Sequence, residues 1–321
     1  MKDNSENSLI IMNNVSRYYG ELCAVDDISF SVNRGEILGL LGPNGAGKST
    51  TLQMLTGNLA PSNGQIYINH IDILDQPKKA KSALGYLPET PPLYEDLSVD
   101  QYLYYCAKLK RIAKHKRADA IDSAKQHCNL HSVSKRLIGN LSKGFQQRVG
   151  IAQAILHMPD VIVLDEPTVG LDPIQIREIR ELIRALGETH CVILSTHILP
   201  EVTSTCDKVL IIHQGKLVFT ENIDGLQKRM HSSSLLVGFR NPPDITELNN
   251  FDGIDNIEVI ENGKFRLHHT PEIDPAPCIV QSSVKHNWDL FELTPEKLSL
   301  EEVFVDITTT EHTDIESKEN E

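Results

Sequence analysis

Gly42-Pro43-Asn44-Gly45-Ala46-Gly47-Lys48-Ser49 is the stretch that decides how this chain is read. Its spacing is GxxxxGK[ST], and each fixed position has a chemical reason. The glycines let the backbone curl until several N–H groups converge on phosphate oxygens, and the helix that follows adds the positive end of its dipole. Lys48 offers an ammonium to the β- and γ-phosphates, and the Ser49 hydroxyl can ligate Mg²⁺. The context fits: residues 36–41 are an apolar strand running straight into the loop, and a helical pattern from Lys48 stops near Gly57. The candidate nucleotide-binding set is therefore Gly42, Pro43, Asn44, Gly45, Ala46, Gly47, Lys48, Ser49 and the adjoining Thr50.

A phosphate loop needs an acidic element to organise the metal. Val161-Ile162-Val163-Leu164-Asp165-Glu166 supplies an apolar strand ending in two carboxylates. Asp165 is expected to hold the Mg²⁺ shell and Glu166 to polarise the attacking water as general base.

Working outward, strands are expected at 9–15 and 28–32, and the pattern turns helical from 99 to 156. Strands return at 161–164 and 191–195 with a helix over 174–186 between them, which implies βαβ units on a mostly parallel sheet. Residues 209–212 and 217–219 flank Gly215 as a hairpin. Near Ile223 the character changes. Strands at 235–239, 257–260 and 265–268, with Asn262-Gly263 turning between the last two, predict a small α+β domain over 223–310, closed by a helix at 299–307. Ser299 and Glu302 there have capping-box spacing. The acidic end, 311–321, lacks apolar anchors and reads as a disordered tail.

Composition narrows the partners. Of 321 residues, 40% are hydrophobic and 23% charged, ordinary values for a globular protein. A formal net charge of −13 argues against nucleic acid, whose phosphates need a basic footprint. No apolar run approaches bilayer length, and the polar start has no export signal, so any membrane role is expected to come through a partner. The six cysteines form no CxxC pair and are expected reduced. His127, Cys128 and His131 have helical spacing, but no further ligand stands near in sequence, and a solvated helix end is the expectation there.

The class is decided between the two phosphate elements. Leu141-Ser142-Lys143-Gly144-Phe145, followed by Gln146-Gln147-Arg148, resembles the LSGGQ signature of ATP-binding-cassette proteins. Tyr19 before Gly20 resembles the aromatic that stacks on adenine, Glu89 stands at the Q-loop position, Gly170-Leu171-Asp172 resembles the D-loop, and His197 the switch histidine. The resemblance covers about residues 9–230. It implies an α/β cassette over 1–222, with an antiparallel β-subdomain and a helical insertion at about 89–157. It also implies two such domains meeting head to tail around two ATP molecules, with Ser142 and Gly144 binding the γ-phosphate of the nucleotide held by the partner's Lys48, Asp172 among the nucleotide-binding residues, and His197 sensing the γ-phosphate. Lys143 and Phe145 depart from the signature, while its serine and second glycine remain. Glu89 replaces the usual glutamine, and a carboxylate there can still ligate Mg²⁺.

The elements for hydrolysis all lie in this one chain, which favours a homodimer. The family expectation is a subunit on the cytoplasmic face of the cell membrane driving a separate integral permease. Ser299-Leu300-Glu301-Glu302-Val303-Phe304, the Leu87-Pro88-Glu89 run with Pro92-Leu93-Tyr94, and the Ser142-Lys143-Gly144 variant resemble multidrug, sodium and gliding-motility exporter ATPases. An importer ATPase and a soluble, non-transport cassette ATPase are the alternatives.

Overall fold

In a computed structural model the described residues are 7–270 and 273–297, and they divide into two compact units, Met1–Ile223 and Asp224–Glu321. The expected helix at 299–307 and the tail at 311–321 lie outside the described residues.

The first unit opens with two long strands, β1 (Ser8–Tyr19) and β2 (Leu22–Asn33), paired antiparallel through the turn at Gly20. Both outrun the expected 9–15 and 28–32, because pairing continues past the point where the sequence turns polar at Ser16 and Arg17. With β4 (Asn63–Ile68) and β5 (Ile71–Asp72) they form a four-stranded antiparallel sheet in the order β2-β1-β4-β5.

The second sheet carries the chemistry. β3 (Ile37–Leu41), β6 (Leu84–Leu87), β7 (Val161–Asp165), β8 (Cys191–Thr196) and β9 (Lys208–His213) run parallel, and β10 (Lys216–Asn222) closes the order β10-β9-β3-β8-β7-β6 antiparallel to β9. Every residue of β3, β7 and β8 is buried, as expected of parallel strands covered on both faces. β3 lies between β8 and β9, and β8 between β3 and β7, so the loops leaving β3, β7 and β8 emerge side by side at one edge. That edge is where such sheets bind ligands.

Helices α1 (Lys48–Leu55) and α2 (Pro77–Ser82) follow β3 and β5. The insertion holds α3 (Val99–Leu109), α4 (Arg117–His127) and α5 (Lys143–Ile155). Ser98 begins α3 with a complete capping box, its hydroxyl accepting from Gln101 N while the Gln101 side chain accepts from Ser98 N. α6 (Pro173–Gly187) and α7 (Leu199–Thr205) flank β8 in sequence. Cys128, placed by sequence on a solvated helix end, is instead fully buried at the end of α4, where its carbonyl accepts from Arg148; its neighbour His127 turns outward to the Ser123 carbonyl.

The second unit begins along α8 (Ile223–Met230) and builds an antiparallel sheet, β12-β13-β11-β14, from β11 (His231–Phe239), β12 (Ile254–Glu261), β13 (Lys264–His269) and β14 (Leu290–Lys297). The short α9 (Ile245–Asn249) and α10 (Ala276–His286) contribute Leu248 and Ile279 to a core with Val237, Phe239, Leu267 and Trp288. Asn262-Gly263 makes the expected turn, with Gly263 at φ 84°. The sequence pattern missed α10 and β14 because both contain proline. Pro277 falls in the first turn of α10 and Pro295 on an edge strand, two places where the missing N–H costs little.

Candidate functional site

The phosphate loop spans the step from β3 to α1, and its glycines are forced by close approach. A Cβ on Gly42 would sit 2.3 Å from the Ile212 carbonyl oxygen, and Gly47 holds φ 107° with the Ala24 carbonyl 2.8 Å from where a Cβ would be. No side chain fits at either position. Gly47 caps α1, whose first N–H groups face a cavity of about 340 Å³ lined by Ala24, Asn44, Lys48, Glu89, Glu166 and His197 together with other loop residues. Lys48 is 6% exposed; its ammonium donates to the Gly42 and Pro43 carbonyls at 2.8 and 3.2 Å and lies 3.7 Å from Glu166 Oε1.

The two carboxylates at the end of β7 are arranged by one hydroxyl from β8. Ser195 Oγ donates to Asp165 Oδ1 at 2.5 Å and accepts from Glu166 N at 3.0 Å. Ser49 of α1 lies close enough to pull the Asp165 pKa downward, so the two expected metal-binding groups are neighbours. Burial pushes the Asp165 pKa up, opposed by the Ser195 bond, and the Glu89 charge adds to the rise. Burial likewise raises Glu166, against the His197 bond and charge.

Glu166 is 7% exposed and adopts φ 46°, a left-handed backbone that costs a side-chain-bearing residue roughly 1–2 kcal/mol. The strain turns its carboxylate out of the strand's alternation and onto His197, whose Nδ1 lies 3.1 and 3.0 Å from the two oxygens. A carboxylate only accepts, so Nδ1 is the donor. Glu89 is exposed on the cavity wall.

The remaining expected residues lie elsewhere. Ser142 is exposed and caps α5, its Oγ accepting from Phe145 N at 3.5 Å. Gly144 is packed so tightly on Gln175 that a Cβ would come within 2.6 Å of that side chain, and Asp172 caps the same helix by accepting from Ile174 N and Gln175 N. Ser142, Gly144 and Asp172 are thus gathered at the starts of α5 and α6, and none lines the cavity. Tyr19 does not line it either; it is 46% exposed at the end of β1, with the Arg17 guanidinium 4.8 Å over its ring.

Sequence reasoning passed over Ser195, the hydroxyl that orients both carboxylates. Its signal was present: a polar residue ending an otherwise apolar buried strand. Thr168, Thr196 and Glu201, all buried just behind the cavity wall, were also missed.

The site suits a nucleoside triphosphate, with glycines that admit no side chain, helix N–H groups, a buried ammonium, and a serine beside a buried aspartate. Comparisons with known proteins agree. A profile of the ABC transporter family matches residues 25–169. The bacitracin transport ATP-binding protein BcrA of Bacillus licheniformis is 35% identical over 301 residues, covering 93% of this chain and 96% of that one. The linearmycin resistance ATP-binding protein LnrL of Bacillus subtilis is 29% identical over 92% of this chain and 96% of its own. A solved ATP-binding subunit of an ABC transporter superposes with a TM-score of 0.62 at 31% identity, over 69% of this chain and 92% of that one. The chain belongs to the ABC transporter family, as one of its ATP-hydrolysing ATP-binding subunits.

Proposed function

We propose that this subunit powers an exporter, with two copies closing head to tail over two ATP molecules and a separate permease carrying the cargo. Gly42 to Thr50 cradle the phosphates, and Lys48 turns from its loop carbonyls to the β- and γ-phosphates. Ser49, Asp165 and Glu89 would hold Mg²⁺, and the ion would supply positive charge against the phosphates. Glu166 takes the proton of the attacking water. Its raised pKa makes it a better base than an ordinary glutamate, and His197 fixes its rotamer. Tyr19 stacks on adenine.

The observation that carries the sandwich is the separation of two groups within one cassette. Lys48, Glu166 and His197 line one cavity, with Asp165 buried beside Glu166, while Ser142, Gly144 and Asp172 gather at the starts of two helices and line none of it. Residues suited to an anion yet remote from their own cavity make sense on a nucleotide held by another copy. Segment 89–96 is the permease-facing element. Tyr94 is exposed there, edge-on to Tyr105 with ring centres 5.5 Å apart, and Pro88 and Pro92 line a second cavity of about 540 Å³ with Lys81 and Lys110. Export is supported by relatives named for bacitracin transport and linearmycin resistance, whose likeness extends through the C-terminal unit.

The test is the Glu166→Gln variant. It is expected to bind ATP, to stop turning over and to double its mass in light scattering when ATP is added. A variant still monomeric at saturating ATP sinks the sandwich.

A further inference from the structure

We infer that Glu201 is a positioning residue for hydrolysis: from behind the cavity it ties the loop that follows Glu166 to the strand end that carries His197. The inference rests on the ATPase reading above and adds a part to it.

Glu201 lies in the first turn of α7 and is 1% exposed. Its two oxygens are used separately. Oε1 accepts from Thr168 Oγ1 at 2.7 Å, and Oε2 accepts from Thr196 Oγ1 at 2.8 Å. Arg180 of α6 places Nη2 3.7 Å from Oε1, an opposite charge beside the buried carboxylate. Four elements therefore meet at one side chain: the loop after β7, the end of β8, α6 and α7.

The two hydroxyls stand at telling positions. Thr168 is two residues beyond Glu166, and the intervening turn is closed by Val169 N donating to the Glu166 carbonyl. Thr196 immediately precedes His197, and its Oγ1 also accepts from Ile198 N at 3.1 Å, so one hydroxyl brackets the histidine's backbone on both sides. Glu166 and His197 meet in front, at 3.0 Å. In front, the two loops that bear them are also tied by that contact and by the Ser195 bonds. A left-handed Glu166 persists only while its surroundings over-determine it, and this clasp is one of the restraints.

A purely structural role would not need this chemistry. Burying a carboxylate is costly, and an apolar side chain of similar volume fills space as well or better. What the carboxylate alone provides is a two-pronged acceptor that sets two hydroxyls, and so two loops, at a fixed separation. Thr168 also opens the segment leading to Asp172, with Leu171 N donating to its carbonyl, so the same clasp links the general base to the cluster assigned above to the partner's nucleotide.

The experiment compares Thr168→Val, Thr196→Val and their serine counterparts in the full chain, with Glu201→Gln beside them. Steady-state ATP turnover and melting temperature are read for each. The valine variants keep shape and lose the hydroxyl. They are expected to lower kcat by roughly ten- to a hundredfold, the scale of a misplaced catalytic group, while KM for ATP moves less than about threefold. The serine variants are expected to stay within about twofold of wild type, since the hydroxyl remains. Glu201→Gln is expected to fall between, and Thr168→Val combined with Thr196→Val to cost less than the product of the single losses, because both act through one carboxylate. If valine and serine variants share the same kcat, or if only KM or the melting temperature changes, Glu201 is a packing residue and the inference is wrong. A wild-type chain that binds no ATP would instead overturn the ATPase reading itself.

Discussion

The two units spend charge in opposite ways. In the first, Lys48, Asp165, Glu166 and Glu201 are buried within or just behind one edge of the parallel sheet, and each is held by several partners. In the second, charges form a ladder over the strands: Arg266 reaches Glu258 and Glu296, and Lys264 reaches Glu261 and Glu292. Buried charge costs free energy that folding does not recover, so its presence marks chemistry. Exposed pairs cost and contribute little, and mark a surface kept soluble. The apolar core beneath the ladder, with Trp288 edge-on to Phe239 and Phe251, does the folding.

The comparison breaks first at Lys48. Lys48→Ala removes the one ammonium at the cavity and is expected to cut turnover on the order of a thousandfold, equivalent to about 4 kcal/mol of barrier. The fold is expected to survive, since the lost bonds are to loop carbonyls that solvent can reach through the cavity. A phosphate-release assay and a melting curve on the same sample check both halves. Activity within tenfold of wild type would mean the buried charge is structural after all.

Trp288→Ala is the converse change, aimed at a large apolar side chain in the core of the second unit. It leaves a cavity under β11 and β13 and is expected to destabilise the second unit by about 3 kcal/mol. The loss should show as an earlier unfolding transition in calorimetry, with ATP turnover at low temperature retained. Parallel loss of turnover would show that the first unit depends on the second.

Glu89→Gln tests a charge of intermediate kind, on the cavity wall yet exposed to solvent. Removing it relieves the repulsion felt by Asp165 while leaving an oxygen able to ligate Mg²⁺. Turnover is expected within about tenfold of wild type, because an exposed carboxylate is well screened. Collapse on this substitution would assign the carboxylate a specific task.

The sequence carried the first unit further than the second for a physical reason. A phosphate loop needs fixed residues at fixed spacing, so Gly42, Gly47, Lys48 and the Asp165-Glu166 pair are legible one by one. The parallel strands announce themselves as unbroken apolar runs because both faces are buried. What linear spacing cannot show is a contact across the sheet. Ser195 reaches back 30 residues to Asp165, and Glu201 reaches 33 to Thr168; neither pair leaves a local pattern. In the second unit the edge position of β14 excuses its proline, and edge position is itself a tertiary fact.

Arg266→Ala carries the smallest expected effect and sharpens the comparison most finely. The guanidinium donates to Glu296 through Nε at 2.6 Å and to Glu258 through Nη1 at 3.0 Å, a geometry that would be decisive if it were buried. It lies on the open side of the strand, with Phe265 and Leu267 pointing into the core on the other. Water can solvate all three groups when the pairs are lost, and salt already screens them. The melting transition is therefore expected to stay where it is within error, at low and at high ionic strength alike. A marked drop, present at low salt and gone at high, would show that the ladder contributes to folding and that the division between working charge and surface charge is too sharp.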